Sequence, residues 1–464
     1  MKQKSRTFTI ALVLVLMFQP LAACRSGLNG AVPAGREERA EFVVGAADIG
    51  DVYSFSENGF FYLQGGCMRY YDLATDSSSV FCGLPNCMHI QQSCPARYGG
   101  VPESKNAIGL AAYGDYAYVM KLNEEAATFD LLQMDLSGNL LQTIYSMKLG
   151  NDSFDSWRLS SIDSVVYADN RAWVTAAYTC QVEVKARYLS YDRISVYCRQ
   201  VLGINLDDGS CETLSWLPEF DQLGRNYDYR IKAISNDYLV LERSQYSLAK
   251  LSYTQFLAAY EDGKMQQFSD EYNAYFDYEK WHVENNHAMY KLELYNMKTG
   301  EYSLLAEGEY EPCFADIGYF IEYLPEYSFY GVYEGDFIYR IIDYATATSK
   351  LYRCDPASGQ SELLFDMKQD TLIGVFDGQA MYYSPLSETE ITVCSYSMTY
   401  GNHQKLFVDS SKLSFQIRAE TEDCFLGERP DFGIGVDPPL FIINKADYYN
   451  GNLEAAKLLN MIAI

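Results

Sequence analysis

Residues 335–359 have the sequence GDFIYRIIDYATATSKLYRCDPASG, which contains the unit that decides the fold. A Gly-Asp turn at 335–336 precedes an aromatic and aliphatic run that starts at 337–339, and a second such run includes 351–353. Another turn, rich in Asp, Ser and Gly, follows at 355–359. Because Tyr, Phe and Ile favour strands while Gly, Asp and Ser favour turns, the stretch predicts two antiparallel strands followed by a further reversal of the chain.

The same unit of turn, strand, strand and turn recurs along the chain. Seven copies are present, and their leading turns lie at 58–59, 114–115, 169–170, 236–237, 335–336, 377–378 and 422–423. Most leading turns are about 40 to 70 residues apart, which is close to the repeat length of propeller blades. One interval, between the fourth and fifth copies, is longer and spans 99 residues.

Repeated sheets of this kind predict an all-β fold, the β-propeller. A single blade cannot bury both of its faces, whereas sheets arranged around an axis cover one another, so the same unit must recur. Seven copies favour seven blades, although six or eight are also compatible with the spacing. The alternative is one or more β-sandwiches, which have short strands and regular turns but do not need one unit seven times. The aromatic content of 15%, including 41 tyrosines, agrees with mostly β structure.

The first 24 residues have the layout of a bacterial secretion signal. Three basic residues precede the apolar run 8–18, and Leu-Ala-Ala-Cys follows at 21–24. This last pattern resembles the lipobox of bacterial lipoproteins, which implies removal of residues 1–23 and attachment of a diacylglycerol to the sulfur of Cys24. Two acyl chains, such as palmitate, suffice for stable anchoring. A transmembrane anchor or an ordinary cleaved signal is the alternative, but the apolar run is shorter than the ~20 residues that span a bilayer.

We therefore expect a lipoprotein signal peptide at 1–23, a lipidated N-terminus and tether at 24–47, and the propeller at 48–464. The expected location is the cell membrane, outside the cytoplasm. The net charge of −26 becomes −29 once the three basic residues of the signal are removed. Such an acidic surface repels phosphate backbones, so we expect no nucleic-acid partner, and it also disfavours flat docking on anionic lipid.

The repeats resemble the TolB-like β-propellers of lipoproteins from anaerobic Gram-positive bacteria, many of which are domains of unknown function. The resemblance covers nearly all of the mature chain. The Gly-His and Trp-Asp pairs typical of WD40 blades are absent from the repeats. The resemblance implies a propeller that is held outside the cytoplasm by lipid.

One short segment combines residue types that bind metals. Cys82, Cys87, His89 and Cys94 place three thiols and one imidazole within 13 positions. This set matches the tetrahedral Cys₃His ligands of zinc, and Pro-Asn at 85–86 bends the chain so that Cys82 can approach Cys87. The i, i+2 spacing of Cys87 and His89 would place both side chains on one face of an extended segment. We expect a structural zinc ion in the connection between the first two blades, and no other cofactor is indicated.

A disulfide within the same segment is the main alternative. Exported proteins often contain disulfides, and the spacing departs from common zinc-finger patterns, which begin Cys-x₂₋₄-Cys. Lipidation of Cys24 would leave an odd number of the chain's 12 cysteines, which cannot all pair within one chain, so this count and the imidazole of His89 favour a metal. A functional metal or redox centre is a third interpretation, and Cys67 lies close enough in sequence to take part. A similar Cys–Pro-Asn-Cys–His–Cys segment in the lipoproteins that the chain resembles implies a shared structural role.

Two segments predict helices. Residues 253–286, in the long interval of the fourth repeat, contain few turn residues and predict a small helical insertion on one rim of the propeller. Residues 453–461 also predict a helix. His282 and His287 would lie on different faces of the insertion, and together with His403 they are expected to be solvated.

The sequence contains none of the common catalytic motifs. It has no His-Glu-x-x-His run, no Gly-x-Ser-x-Gly elbow, no phosphate-binding Gly-Lys loop and no EF-hand loop. We therefore expect a binding or scaffolding module whose partner is a surface protein or glycan, and an enzyme is disfavoured. One alternative is an enzyme that processes a surface polysaccharide or peptide at the propeller axis, and another is a metal-dependent sensor that uses the Cys/His segment. The fold cannot decide between them, because function resides in the site.

Overall fold

The computed structural model describes most of the chain between residues 54 and 459. Within this range the residues that it leaves out are 57–58, 65, 91–92, 99–106, 151–156, 184–192, 215–227, 236, 247–254, 256–257, 260–261, 263–287, 311–312, 315–319, 322–324, 344–345, 347, 369, 388–389, 410–414 and 429–439. The predicted signal peptide at 1–23, the predicted lipidation site Cys24 and the tether at 24–47 lie outside the described residues.

Seven antiparallel blades, I to VII, follow one another along the chain, and within each blade four strands pair in sequence order. A single parallel bridge between Arg199 and Asp228 joins blades III and IV into one eight-stranded sheet. The strands of blades I and II are β1 Ser54–Ser56, β2 Gly59–Gln64, β3 Cys67–Asp72, β4 Ser77–Val80, β5 Ala107–Tyr113, β6 Tyr116–Asn123, β7 Thr128–Asp135 and β8 Leu140–Lys148. Those of blades III and IV are β9 Arg158–Ala168, β10 Arg171–Glu183, β11 Arg193–Asn205, β12 Cys211–Thr213, β13 Asp228–Ile234, β14 Tyr238–Tyr246, β15 Ala288–Asn296 and β16 Tyr302–Tyr310. A two-stranded sheet of β17 Cys313–Phe314 and β18 Phe320–Ile321 precedes blade V.

The remaining strands form blades V to VII. They are β19 Glu326–Tyr333, β20 Asp336–Asp343, β21 Thr348–Asp355, β22 Gln360–Asp366, β23 Thr371–Phe376, β24 Gln379–Pro385, β25 Ile391–Ser397, β26 His403–Asp409, β27 Gln416–Glu420, β28 Cys424–Glu428, β29 Leu440–Asn444 and β30 Lys457–Leu458. The two strands of each sequence repeat are the second and third strands of a blade. The prediction of seven blades is therefore confirmed.

Neighbouring residues on the second strand of a blade are buried against different blades. Side chains on a strand alternate between the two faces of the sheet. Phe60 and Phe61 are both fully buried: Phe60 shares a core with Leu426 of blade VII, and Phe61 shares a core with blade II. In blade V, Phe337 belongs to the core shared with blade IV, and Ile338 to the core shared with blade VI. Sheets that are covered on both faces by the preceding and following sheets form a propeller and exclude the sandwich alternative.

The ring closes where blade VII packs against blade I. Leu459, which follows β30 and is 3% exposed, shares a core with Phe60 and Tyr71 of blade I. The Lys457 ammonium also donates a hydrogen bond to the Asp76 carboxylate in the turn between β3 and β4. These contacts join the last strand of the ring to the first blade.

The predicted helix at 453–461 is wrong. Leu453–Ala455 form a single 3₁₀ turn, and Lys457–Leu458 pair with β29 as the outermost strand of blade VII. The pairing gives blade VII its fourth strand and places Leu459 in the ring-closing core, and these tertiary contacts outweigh a local helical pattern. A short helix that the sequence did not predict, α1 Lys445–Tyr449, precedes this turn and is capped by the Asn444 side chain.

The long connection of blade IV lies between β14 and β15, which is where the predicted helical insertion at 253–286 falls. Gln255, Ala258 and Ala259 are helical, and the backbone N–H of Asp262 donates to the carbonyl of Ala258 at 3.1 Å. Most other residues of the insertion, including His282 and His287, lie outside the described residues. No helix in the described part of the chain is long and apolar enough to cross a bilayer.

Candidate metal centre

The Cys/His cluster, which consists of Cys82, Cys87, His89 and Cys94, lies in the connection between blades I and II. The connection begins at Phe81, which is 4% exposed and packs edge-to-face on Phe61 with ring centroids 4.9 Å apart. Gly83, two residues further on, contacts the turn between β7 and β8: its N–H donates a hydrogen bond to the carbonyl of Gly138 at 3.1 Å. The first ligand is thus positioned by contacts with both blades.

A tight turn and a left-handed residue direct the next two ligands. The N–H of Cys87 approaches the carbonyl of Leu84 at 3.4 Å, and Asn86 has a positive φ of 58°. His89 also has a positive φ, 57°, which places it in the left-handed region. The expectation of an extended segment from Cys87 to His89 is therefore wrong. The two side chains converge because the backbone turns at His89, and not because they share one face of a strand.

The last ligand is held against the start of β3. Cys94 is 1% exposed, and its carbonyl accepts a hydrogen bond from the N–H of Arg97 at 3.1 Å. The neighbouring Ala96 carbonyl accepts from the N–H of Met68 at 2.7 Å, and Arg97 forms an isolated β-bridge with Cys67. These backbone contacts fix the position of Cys94 relative to blade I.

The four side chains bring one ligand atom each to a common point. Their sulfur and nitrogen atoms all lie within 4.8 Å of one another, and no other group of three or more such ligands occurs among the residues that the structure describes. Cys94 Sγ lies 3.7 Å from Cys82 Sγ and 3.5 Å from His89 Nδ1. Tetrahedral zinc, with Zn–S near 2.3 Å and Zn–N near 2.0–2.1 Å, separates sulfur ligands by about 3.8 Å and sulfur from nitrogen by about 3.6 Å. These two distances therefore match the edges of a zinc tetrahedron, whereas a disulfide joins its sulfurs at about 2.05 Å.

Burial controls the protonation of these ligands. Burial, together with smaller contributions from the adjacent thiols of Cys87 and Cys82, raises the pKa of Cys94 to about 12. Burial likewise raises the pKa of Cys82, while burial and the charge of Arg69 lower the pKa of His89. Desolvation acts to raise the pKa of Cys87. Hydrogen bonds to its sulfur, of which the one from the backbone of His89 has the largest effect, outweigh desolvation and lower this pKa. His89 is thus neutral and able to ligate a metal, whereas Cys94 must lose a proton to do so.

Cationic side chains surround the cluster. Arg69 is 3% exposed, its charge acts on Cys67 and His89, and its Nε makes no hydrogen bond with any residue that the structure describes. The charge of Lys121 is coupled to Cys94, and its Nζ lies 3.4 Å from a backbone carbonyl of the same segment. A Cys₃His site that holds Zn²⁺ carries one net negative charge, so buried cations beside it compensate that charge. The donor set and its surroundings therefore fit zinc.

The structure brings together all four residues that the sequence singled out, and it leaves Cys67 outside the set. The thiol of Cys67 is buried, and it contacts the carbonyl of His89 at 3.8 Å. Arg69 and Lys121 were missed, because they reach the cluster from other strands and no local spacing marks them. His403, which was expected to be solvated, is exposed but also hydrogen-bonds the Tyr382 hydroxyl through Nδ1 at 2.8 Å.

Comparisons with known proteins find distant structural similarity alone. No model of a known protein family and no curated protein matches the chain. Among solved structures, an oligogalacturonate lyase in complex with manganese is 10% identical with a TM-score of 0.42 over 84% of this chain and 86% of its own. A puromycin hydrolase is 10% identical with a TM-score of 0.37 over 94% of this chain and 55% of its own. An acylaminoacyl peptidase from Pyrococcus horikoshii is 10% identical with a TM-score of 0.40 over 88% of this chain and 52% of its own. The lyase and the hydrolase are β-propeller proteins, the fold that this chain adopts.

Proposed function

We propose that the protein is a TolB-like propeller lipoprotein, anchored outside the cytoplasm through Cys24, that binds a surface protein or glycan or acts as a scaffold. The Cys/His cluster holds one structural zinc ion in this proposal. The zinc ties the connection between blades I and II and thereby stiffens the ring that presents the binding surface.

The convergence of four protein ligands is the observation that supports a structural metal. Structural zinc sites have four protein ligands, whereas catalytic sites usually have three and keep a position for water or substrate. Here three sulfurs and one ring nitrogen lie within 4.8 Å of one another. The segment that carries them is hydrogen-bonded to both adjacent blades, through Gly83 on one side and Ala96 on the other. A metal in this position stabilises a connection and leaves no ligand position for a reaction.

Ion pairs within the blades give two carboxylates of the ring a structural role. In blade III, Asp163 on the innermost strand lies 2.6 Å from Arg199 Nε, and in blade VII the buried Glu428 lies 2.8 Å from a terminal nitrogen of Arg418. A glycosidase needs two carboxyl groups that face a substrate across a fixed gap. Carboxylates that are bound to cations of their own blade stabilise the sheet, and this arrangement favours a structural role for them.

Native mass spectrometry of the purified protein tests the metal. We expect one zinc ion per chain and, after treatment with a strong chelator, loss of that mass together with a lower melting temperature. A disulfide would make the chain lighter by two hydrogens and would leave mass and melting unchanged in chelator. That second result would contradict the zinc site.

Two further experiments test location and activity. Mass analysis of the full-length protein should show a diacylglycerol on Cys24 that the Cys24→Ser variant lacks, and a Cys24 without lipid in the natural chain would contradict the lipid anchor. A screen of the protein against cell-wall and host glycans should show binding without change to the glycan. Shortening of a glycan or peptide during the screen would support the enzyme alternative and contradict a purely binding role.

A further inference from the structure

Three large apolar side chains project into solvent from the segment that carries the Cys/His cluster. Leu84, Met88 and Ile90 are 44%, 60% and 66% exposed. Among the large hydrophobic side chains that the structure describes, only Tyr400 is more exposed than Met88 and Ile90. Single exposed apolar residues are common on protein surfaces, but several together mark an interaction surface. We call Leu84, Met88 and Ile90 the apolar tip.

The apolar tip lies in a stretch of sequence without acidic residues. No Asp or Glu occurs between Asp76 and Glu103, although the chain contains 62 acidic residues against 36 basic ones. The Arg97 guanidinium donates to the carbonyl of Ile90 at 2.6 Å, and Lys121 lies 3.4 Å from another carbonyl of the segment. Anionic lipids repel a strongly acidic protein and attract basic groups near the membrane surface. This acid-free stretch is therefore well suited to approach a bilayer.

The tether enters the propeller at the same end of blade I as the apolar tip. The first residue of β1, Ser54, pairs with Phe61 of β2, whereas the last, Ser56, pairs with Gly59. The start of β1 is therefore nearer to the turn that connects β2 to β3. At this turn the carbonyl of Gly66 accepts from the N–H of Tyr98 at 2.9 Å, and Cys67 bridges to Arg97, which holds the apolar tip through Ile90. The 30 residue steps from Cys24 to Ser54 can reach up to about 100 Å. The tether is therefore long enough for this end of the blade to touch the membrane.

The cluster also determines how the apolar tip is presented. Its three residues alternate with the ligands Cys82, Cys87 and His89 along the chain. A metal that holds these ligands fixes the backbone that carries the apolar side chains. Ordering of the tip then precedes binding, and preorganised contacts lose less entropy when they form.

We propose that the apolar tip inserts into the interfacial region of the bilayer to which Cys24 is attached. This inference rests on the proposed lipid anchor. Leu, Met and Ile match acyl chains, whereas protein-binding hot spots are enriched in Trp, Tyr and Arg. Insertion removes the apolar tip from water, and it orients blade I toward the membrane so that the blades across the ring face away from it.

Fluorescence quenching by brominated lipids tests the insertion in the full-length lipidated protein. The Met88→Trp variant is reconstituted in phosphatidylcholine–phosphatidylglycerol vesicles whose acyl chains carry bromine. We expect the fluorescence added by this substitution to be quenched several-fold more strongly than that added by Tyr400→Trp, which replaces a side chain of blade VI that is even more exposed than Met88. Equal quenching of the two variants, or none, would overturn the inference.

A second measurement does not depend on the lipid. The unlipidated Cys24→Ser chain should bind the same vesicles, and Met88→Ser with Ile90→Ser should weaken this binding by about tenfold per side chain. Leu304→Ser with Leu363→Ser is the matched control, because these residues of β16 and β22 are 47% and 48% exposed and belong to blades IV and V. An equal loss of vesicle binding in both double variants would contradict lipid insertion. Lipid insertion would also be contradicted if the first double variant released a protein partner and bound vesicles as before.

Mass analysis of Cys24 separates the two proposals. If Cys24 carries lipid but the Met88→Trp variant is not quenched, the anchor stands and the insertion fails. If Cys24 carries no lipid, the anchor fails, and binding of the unlipidated chain to vesicles decides the insertion separately.

Discussion

The side chain of Trp173 is fully buried between blades III and IV, and a glycine on the next strand makes room for it. A Cβ atom added to Gly203 would lie 2.7 Å from Cζ3 of Trp173. We therefore expect Gly203→Ala to lower the free energy of unfolding by about 1–3 kcal/mol, the usual cost of overpacking. Thermal or urea unfolding measures this change.

The crowding explanation has a compensating variant and a control. Trp173→Phe removes the atoms that Gly203→Ala would meet, so the double variant should lose less than the sum of the single losses. Gly308→Ala, also in a strand, adds a Cβ with nothing within 4 Å and should be nearly neutral. Strict additivity of Gly203→Ala and Trp173→Phe would show that the two side chains do not crowd each other.

Individual cysteines of blade I should differ sharply in their effect on metal binding. Cys94→Ser removes a ligand from the cluster, so we expect loss of the zinc ion together with a lower melting temperature. Cys67→Ser changes a thiol that is equally buried but lies outside the four ligands, and it should keep the zinc. Zinc content by mass spectrometry checks both variants, and loss of metal in both would mean that the ligand set is assigned incorrectly.

The cluster was predictable from sequence because its four ligands lie close together along the chain and the bend at Pro85-Asn86 brings them near one another. The surrounding charges were not predictable. Arg69 and Lys121 belong to different blades, and only the packing of one sheet against the next places them beside the ligands. The left-handed backbone at His89 was missed for a related reason, since tertiary hydrogen bonds on either side of it fix the path of the chain.

The turn between the third and fourth strands of blade II connects the ring to the Cys/His cluster. Gly138 in this turn has a φ of +84°, and an added Cβ would lie 2.7 Å from the backbone of Phe81 and Cys82. Gly138→Ala should therefore cost about 1–2 kcal/mol, as expected for a non-glycine residue in the left-handed conformation, and should also displace the segment that starts at Cys82. We expect lower stability and weaker zinc binding, measured by unfolding and by competition with a chelator.

Gly300→Ala is the matched control for this prediction. Gly300 occupies the corresponding turn of blade IV with a φ of +73°, but nothing lies within 4 Å of an added Cβ. It should show the backbone cost alone and keep the zinc affinity of the natural chain. Equal loss of zinc affinity in both glycine variants would contradict a role of the blade II turn in positioning the cluster.

At the scale of strands, the sequence predicted the middle of each blade better than its edges. The second and third strands are covered on both faces by neighbouring blades, so they appear as aromatic and aliphatic runs such as 60–62. The edge strands carry weaker patterns: β4 has the sequence SSSV, and β22 is mostly exposed. The false helix at 453–461 belongs to the same class, because only pairing with β29 identifies β30 as a strand.

Closure of the whole ring depends on a few residues after the last full-length strand. Leu459 is 3% exposed in the core between blades VII and I, whereas the adjacent Leu458 is 46% exposed. We expect Leu459→Ala to cost about 2–5 kcal/mol of unfolding free energy and Leu458→Ala almost none. Hydrogen exchange should speed up in blades I and VII of the Leu459→Ala variant first, and uniform acceleration around the ring would contradict a local opening.

The polar contact beside this core should make ring closure depend on pH. The hydrogen bond from Lys457, followed by that from Tyr71, lowers the pKa of Asp76, so the folded state favours its carboxylate. A lowered folded pKa contributes stability that is present above the unfolded pKa of about 3.9 and is lost as pH falls through the folded value. Asp76→Asn keeps the left-handed turn, since Asn tolerates the φ of 50° found at this position. The variant should lower the free energy of unfolding at pH 7 by less than about 1 kcal/mol, because the ion pair of Asp76 with Lys457 is partly exposed. The difference between the two proteins should shrink in high salt, begin to fall below the unfolded pKa and vanish in melting curves recorded below the folded pKa of Asp76. A difference that persists at that pH would assign the effect to the shape of the turn and not to the charge that links the last strand to the first blade.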